Sequence, residues 1–256
     1  MTAETEAVIY VADGVVGRIT LNRPEKRNAL NDAMVGGLTA ALKTLSQDEA
    51  IRVVLMTGAG KDFCSGADLS ALQKISAASV TENVEDARSL MELFLLIRNL
   101  PVPVIAAVQG RALAGGCGLA TACDLVLASA SARFGYPEVK IGFVPAMVMA
   151  ILRRNVSEKR AFELITRGAD IGAAEAMQLG LINQVFPDDT FAQESENYLR
   201  AFEKVSPSAV ALSKQLLYQM DGMTILEGLH AGLDINVIAR MTEECQKGIA
   251  RFLRKE

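Results

Sequence analysis

The chain has 256 residues, of which 50% are hydrophobic and 22% charged, and carries a net charge of −4 at pH 7. That is a soluble composition and enough chain for one large domain, or a domain with an appendage. The acidic balance argues against a nucleic-acid or anionic-membrane surface, since binding phosphate needs a basic field, although a local basic patch stays allowed. Four cysteines without a C-x-x-C pair, with a single histidine, give no zinc set of the usual spacing and no expected disulfide. Met1 to Ala7 is polar and lacks a signal-peptide core, and no apolar run reaches the ~20 residues of a bilayer span. A reducing, cytoplasmic location is expected. Tryptophan is absent and aromatics are 5%, which disfavours base-stacking platforms.

In chain order, Val8–Val11 and Val15–Leu21 are β-branched runs broken by Asp13-Gly14, a hairpin signal. A polar loop, Asn22 to Asn28, carries Pro24. Asn31 is placed to cap a helix over Asp32–Ser46, where Met34, Leu38, Ala41, Leu42 and Leu45 share a face. Arg52–Thr57 reads as a buried parallel strand, ending at Gly58-Ala59-Gly60. Ala67–Ile75 and Thr81–Arg98 read as helices, Val104–Val108 as a second buried strand, Gly115–Cys123 as a buried helix and Asp124–Ala128 as a strand. The rhythm of strand, turn, helix and strand predicts α/β layering with mostly parallel strands. After Ile141 no convincing strand is expected. Val144–Arg153, Ser157–Thr166, Ala173–Gln178, Thr190–Lys204, Pro207–Met220 and Thr224–Phe252 all favour helix. The last carries Leu226, Leu229, Leu233, Val237, Ile238 and Met241 along one side, which predicts packing on a neighbouring copy.

Two glycine turns stand where a strand ends and a helix begins: Cys64-Ser65-Gly66-Ala67-Asp68-Leu69 and Ala114-Gly115-Gly116. Such a turn exposes free N–H groups at the positive end of a helix, and two of them aimed at one oxygen make an oxyanion hole. The competing reading is tight helix packing. Neither a phosphate loop nor a dinucleotide fingerprint is present. Glu138 follows Pro137 in apolar surroundings, where desolvation suits it to acid–base work; the alternative is a surface glutamate at a helix start. His230 joins no triad, and no G-x-S-x-G elbow exists. The cysteines read as structural, with Cys64 beside the first glycine turn as the exception to check. Arg23, Lys26 and Arg27 read either as a clamp for a phosphate-bearing cofactor or as a solvated turn.

The ordered set Leu21-Asn22-Arg23-Pro24-Glu25-Lys26-Arg27-Asn28-Ala29-Leu30, Phe63 to Leu69, Ala107-Val108-Gln109-Gly110 through Cys117, Cys123-Asp124 and Phe134-Gly135-Tyr136-Pro137-Glu138 resembles the crotonase superfamily, the enoyl-CoA hydratases and isomerases. The resemblance covers almost the whole chain, including Gly180-Leu181-Ile182-Asn183. It implies a spiral of ββα units over residues 1–195, a helical oligomerisation region over 196–256, and a homotrimer or a hexamer built as a dimer of trimers. It implies an acyl-CoA thioester substrate with no cofactor beyond its CoA moiety, no metal, and neither a nucleic-acid nor a membrane partner. By motif position the oxyanion donors are the N–H groups of Ala67 and Gly115. CoA lies along Lys26, Ala29, Leu30 and the Ala67-Asp68-Leu69 turn. Phe252 and Lys255 are candidates to touch the adenine of a neighbouring subunit.

One departure matters. Two-acid hydratases of this family carry a glutamate where this chain has Gly118, so only Glu138 remains of the pair. The resemblance then implies proton transfer at the thioester α-carbon, with an enolate held in the hole, as in single-glutamate isomerases. Hydration would need Glu138 to do both acid tasks or another polar group to help. The alternatives are decarboxylation, thioester hydrolysis, or a non-catalytic CoA-ester or RNA-binding role. Lys74 and His230 do not stand where the decarboxylating relatives need them. A glycine at 118 also predicts spare room, enough for a branched acyl chain.

Overall fold

The structure, a computed structural model, describes residues 6–254. Strands β1 (Val8–Asp13) and β2 (Val16–Leu21) form the expected hairpin, with Asp13 opposite Val16 and Gly14 at φ +60° in the turn. Helix α1 (Asp32–Ser46) is capped by Asn31, whose side-chain oxygen accepts from the Met34 N–H at 3.0 Å. Then come β3 (Val53–Gly58), α2 (Leu69–Ala77) and α3 (Val80–Asn99), the last opened by a Ser79/Glu82 capping box. Strand β4 (Val104–Val108), the short β5 (Arg111–Leu113), helix α4 (Gly115–Ala122), β6 (Leu125–Ser129) and β7 (Arg133–Gly135) follow. The remainder is α5 (Ala146–Asn155), α6 (Glu158–Arg167), β8 (Asp170–Gly172), α7 (Ala173–Gln178), β9 (Gln184–Phe186), α8 (Phe191–Leu199), α9 (Pro207–Gln219), α10 (Ile225–Met241) and α11 (Glu243–Leu253).

The main sheet runs β1-β2-β3-β4-β6-β9, parallel except at the hairpin, and a small sheet runs β5-β7-β8. Two expectations are corrected. Strands do occur after Ile141: β8 and β9 are three residues each, too short to show a period, and are held by register to β7 and β6. The stretch Thr224–Phe252 is two helices, broken at Thr242, which leaves the helical region (φ −68°, ψ 143°) and caps the next helix through Oγ1 to the Cys245 N–H at 3.3 Å.

One face of the main sheet packs against α1, α3 and α4 through Leu21, Met56, Leu38, Ile97 and Leu119. The other is covered by α8, whose Leu199 meets Val53, Leu55, Ile105 and Leu127. Residue 195 lies within α8, and Glu196 of the same helix holds Arg18 of β2 with both carboxylate oxygens, at 2.6 and 2.9 Å.

Helix α9 is tied down by charge. The Lys214 ammonium, buried, donates to Asp124 Oδ2 at 2.6 Å and to the Ile97 and Val102 carbonyls at 2.9 and 3.0 Å. Tyr218 donates to Asp124 Oδ1 at 2.6 Å, and Arg98 stacks 3.8 Å over the Tyr218 ring. Three acceptors satisfy a lysine's hydrogen-bonding capacity, so its buried charge is compensated. Lys214→Met should leave Asp124 without its cation and cost about 3–5 kcal/mol, read as a lower denaturation midpoint; an unchanged midpoint would show that the pair does not anchor α9. Beyond α9, α10 exposes the apolar stripe seen in sequence, with Leu226 63% and Leu233 60% exposed.

Candidate active site

The strand register brings three distant segments to one place. Cys64 forms a parallel bridge to Ala112 of β5, and Ala112 pairs with Phe134 of β7. Counting forward from that row, Ala67 is three residues past Cys64, Gly115 is three past Ala112, and Glu138 is four past Phe134. All three leave the carboxyl ends of parallel segments together, where open α/β sheets present their ligand groups.

On its other side the Gly66–Asp68 turn meets the loop that ends at Leu30. The Leu30 N–H donates to the Gly66 carbonyl at 2.7 Å, and the Asp68 N–H donates to the Leu30 carbonyl at 2.9 Å. These bonds bracket Ala67, so backbone alternation points the Ala67 N–H away from Leu30, toward β5 and α4. The Gly115 N–H is the first of α4 and has no residue of its own helix to bond. Among the described residues neither amide donates to a protein acceptor. Ala114 sits at φ +50°, ψ −127°, a conformation that L-residues rarely adopt, and its N–H is fixed to the Gly135 carbonyl at 2.8 Å. Its ψ sets the plane of the next peptide and therefore the direction of the Gly115 N–H, so strain on the order of 1–3 kcal/mol is held at this turn.

Glycine is required where the turns touch. A Cβ on Gly116 would overlap the Cys64 carbonyl oxygen and lie 2.8 Å from the Cys64 carbonyl carbon. A Cβ on Gly66, at φ +100°, would lie 2.9 Å from the Ala114 Cβ. Tight packing, one of the two sequence readings of these glycines, holds at both positions.

Glu138 stands in the one-turn helix Pro137–Ile141 that follows β7. It is half-buried, and its Oε2 is buried with no hydrogen-bond partner. Burial raises its pKa above the ordinary glutamate value, opposed only by a bond from its own amide; no second carboxylate contributes. Burial pushes the Cys117 thiol of α4 up to about 12, and the Glu138 charge adds to the rise. Tyr136, fully buried, fixes the start of this turn, its hydroxyl 3.4 Å from Thr121 Oγ1 of α4.

Two expectations change, at Gly118 and at Arg23. Gly118 leaves no spare room: a Cβ there would overlap Val148 Cγ1 of α5, with Phe94 Cζ of α3 at 3.4 Å. Arg23 is not a free phosphate clamp, because it donates to Asp68 Oδ2 at 2.7 Å and to the Ala29 carbonyl at 2.8 Å. The Asp68 carboxylate is buried, is held below the usual range by Arg23, and caps α2 through the Ser70 N–H at 3.1 Å. Cys64 is buried and its thiol is pushed up to about 12 by desolvation, which makes it unreactive. Lys26 stays exposed beside buried Ala29 and Leu30, and Leu69 opens α2. Phe252 is exposed on α11, while Lys255 lies outside the described residues. His230 is exposed on α10, and Lys74 is paired with Asp32 at 2.6 Å.

Sequence reasoning turned Phe94 inward and set Phe143–Leu152 along the acyl pocket, but singled out neither Val148 nor the strain at Ala114. Ala114-Gly115-Gly116 held a signal for the last, since a helix there starts with no capping side chain.

Residues 12–256 match the enoyl-CoA hydratase/isomerase family. The chain belongs to that family. A Thermus thermophilus protein assigned to the enoyl-CoA hydratases is 40% identical over 97% of this chain and 98% of its own length. The 2,3-dehydroadipyl-CoA hydratase of Escherichia coli is 35% identical over 93% of this chain and 91% of its own. Among solved structures, an enoyl-CoA hydratase of Mycobacterium smegmatis superposes with a TM-score of 0.93 at 32% identity, over 98% of this chain and 97% of that one. The family's crotonase-like α/β fold is therefore the fold of this protein. Among the described residues no helix is long and apolar enough to cross a membrane.

Proposed function

We propose that the protein shifts a double bond in an enoyl-CoA thioester by moving a proton at its α-carbon. The observation that supports this reading is a single half-buried carboxylate, Glu138, with one unpartnered oxygen, at the end of the sheet that also presents the Ala67 and Gly115 amides. The thioester oxygen accepts from both amides. Glu138 removes a proton from Cα of a 3-enoyl thioester, the electrons move into the carbonyl, and a dienolate forms in the hole. Return of the proton at Cγ gives the 2-enoyl thioester. Each amide donor is worth ~3 kcal/mol of barrier, and the raised pKa of Glu138 suits a group that must both take and give a proton.

The CoA moiety lies along Lys26, Ala29, Leu30 and the Ala67-Asp68-Leu69 turn. Assembly is as a homotrimer or a hexamer, with copies covering the apolar side of α10 and Phe252 reaching a neighbour's adenine. The location is cytoplasmic, and no cofactor beyond CoA takes part.

The names of the relatives favour a second reading, hydration of a 2-enoyl thioester with Glu138 as sole acid–base group. A panel of 2-enoyl, 3-enoyl and 3-methyl-2-enoyl CoA esters separates the two. The proton-shift reading expects 3-enoyl esters to become 2-enoyl esters without 3-hydroxyacyl product. Rapid formation of 3-hydroxyacyl-CoA from the 2-enoyl ester, with no isomerisation, would replace it by hydration.

A further inference from the structure

Gly118 lies one helical turn beyond Gly115 on α4, the helix whose first amide is the Gly115 N–H. The space outside it is filled. Val148, 4% exposed, enters the notch left by the missing side chain so closely that a Cβ on Gly118 would overlap its Cγ1, and Phe94, also 4% exposed, backs it. The glycine is thus matched to a branched knob from α5, a contact that fixes α4 against α5. The side chains nearest that point of α4 are hydrocarbon. A water held there would need two to four polar partners, and neither side chain offers one.

We propose that Val148, backed by Phe94, is the residue that keeps a second proton-carrying group and an ordered water off the oxyanion helix, and so restricts the site to proton shifts. This rests on the proton-shift reading above and names the residue that enforces it. Hydration would require water to add across the Cα–Cβ double bond, oxygen to Cβ and proton to Cα, with a group to orient and deprotonate the water. The closed flank withholds that group.

Two measurements test it. The first concerns packing. Gly118→Ala should lower the melting temperature by several degrees, and adding Val148→Ala should recover at least half of that loss. If Gly118→Ala melts like the wild type, the knob and notch are not tightly matched and the proposal fails. The second concerns chemistry. Gly118→Glu combined with Val148→Ala frees the notch and places a second carboxylate in it. It should form 3-hydroxyacyl-CoA from a 2-enoyl-CoA at least 10-fold faster than the wild type or Val148→Ala alone. Conversion of a 3-enoyl-CoA to the 2-enoyl-CoA is followed with the same proteins. Isomerisation retained with no gain in hydration in the double variant would overturn the role given to Val148 while sparing the proton-shift reading. Absence of isomerisation in the wild type would overturn that reading itself, and the proposal with it.

Discussion

Glu138→Gln should reduce turnover by about 10²–10⁴-fold, the usual contribution of a positioned acid–base group, while binding of a CoA thioester stays within a few-fold of wild type. The amide keeps the shape of the side chain and removes only its ability to carry a proton. Oε2 makes no hydrogen bond in the protein, so the fold does not depend on it. Stability should move the other way. Burial raises the pKa of Glu138 in the folded chain, so folding favours its protonated form. Its contribution to stability is present below the unfolded pKa and is lost as pH rises through the folded one. The Gln variant should therefore equal the wild type in acid and match or exceed it at neutral pH, measured by melting temperature across pH. The acid limb of wild-type kcat should lie above the ordinary glutamate pKa for the same reason. A Gln variant with wild-type turnover would remove Glu138 from the chemistry.

Gly116→Ala should be nearly as damaging, by a different route. The added methyl would overlap the Cys64 carbonyl oxygen, which is backbone and has no rotamer to yield. That carbonyl accepts from the Leu113 N–H at 3.0 Å, so the clash falls on the contact that holds the two turns in register. Separation of the turns displaces at least one amide from the thioester oxygen. Loss of one such donor costs 10²–10³-fold in kcat, and overpacking of this kind costs about 1–3 kcal/mol of stability. Measurements of kcat and of urea unfolding on the same sample check both. Wild-type kcat in a folded Gly116→Ala protein would show that the turns need not touch for the site to work.

The parts of the fold that were legible in the chain are those with a strong period or a strong punctuation. The β1/β2 hairpin followed from Asp13-Gly14, α1 from Asn31 and its apolar face, and β3 and β4 from their unbroken apolar runs. Strands β5 and β7 were not legible, because three residues such as Arg111–Leu113 carry no period; yet their register brings the segments of Gly115 and Glu138 out at the same end. The break at Thr242 was hidden by an apolar pattern that runs on through it. At the site, residue types named the candidates but not their neighbours. Gly118 reads in sequence as a missing acid and a vacant space. In three dimensions the space belongs to Val148, 30 positions later on another helix, and only packing shows it. Arg23 was misread for the related reason that its partner, Asp68, is 45 residues away.

The central claim is that two main-chain amides and one carboxylate serve a single thioester. A crystal structure with an unreactive acyl-CoA analogue bound tests it most directly. The thioester oxygen is expected about 3 Å from both the Ala67 and the Gly115 nitrogens, with a Glu138 oxygen beside Cα. A thioester oxygen bonded to neither amide, or a Glu138 carboxylate turned away from the acyl chain, would contradict it.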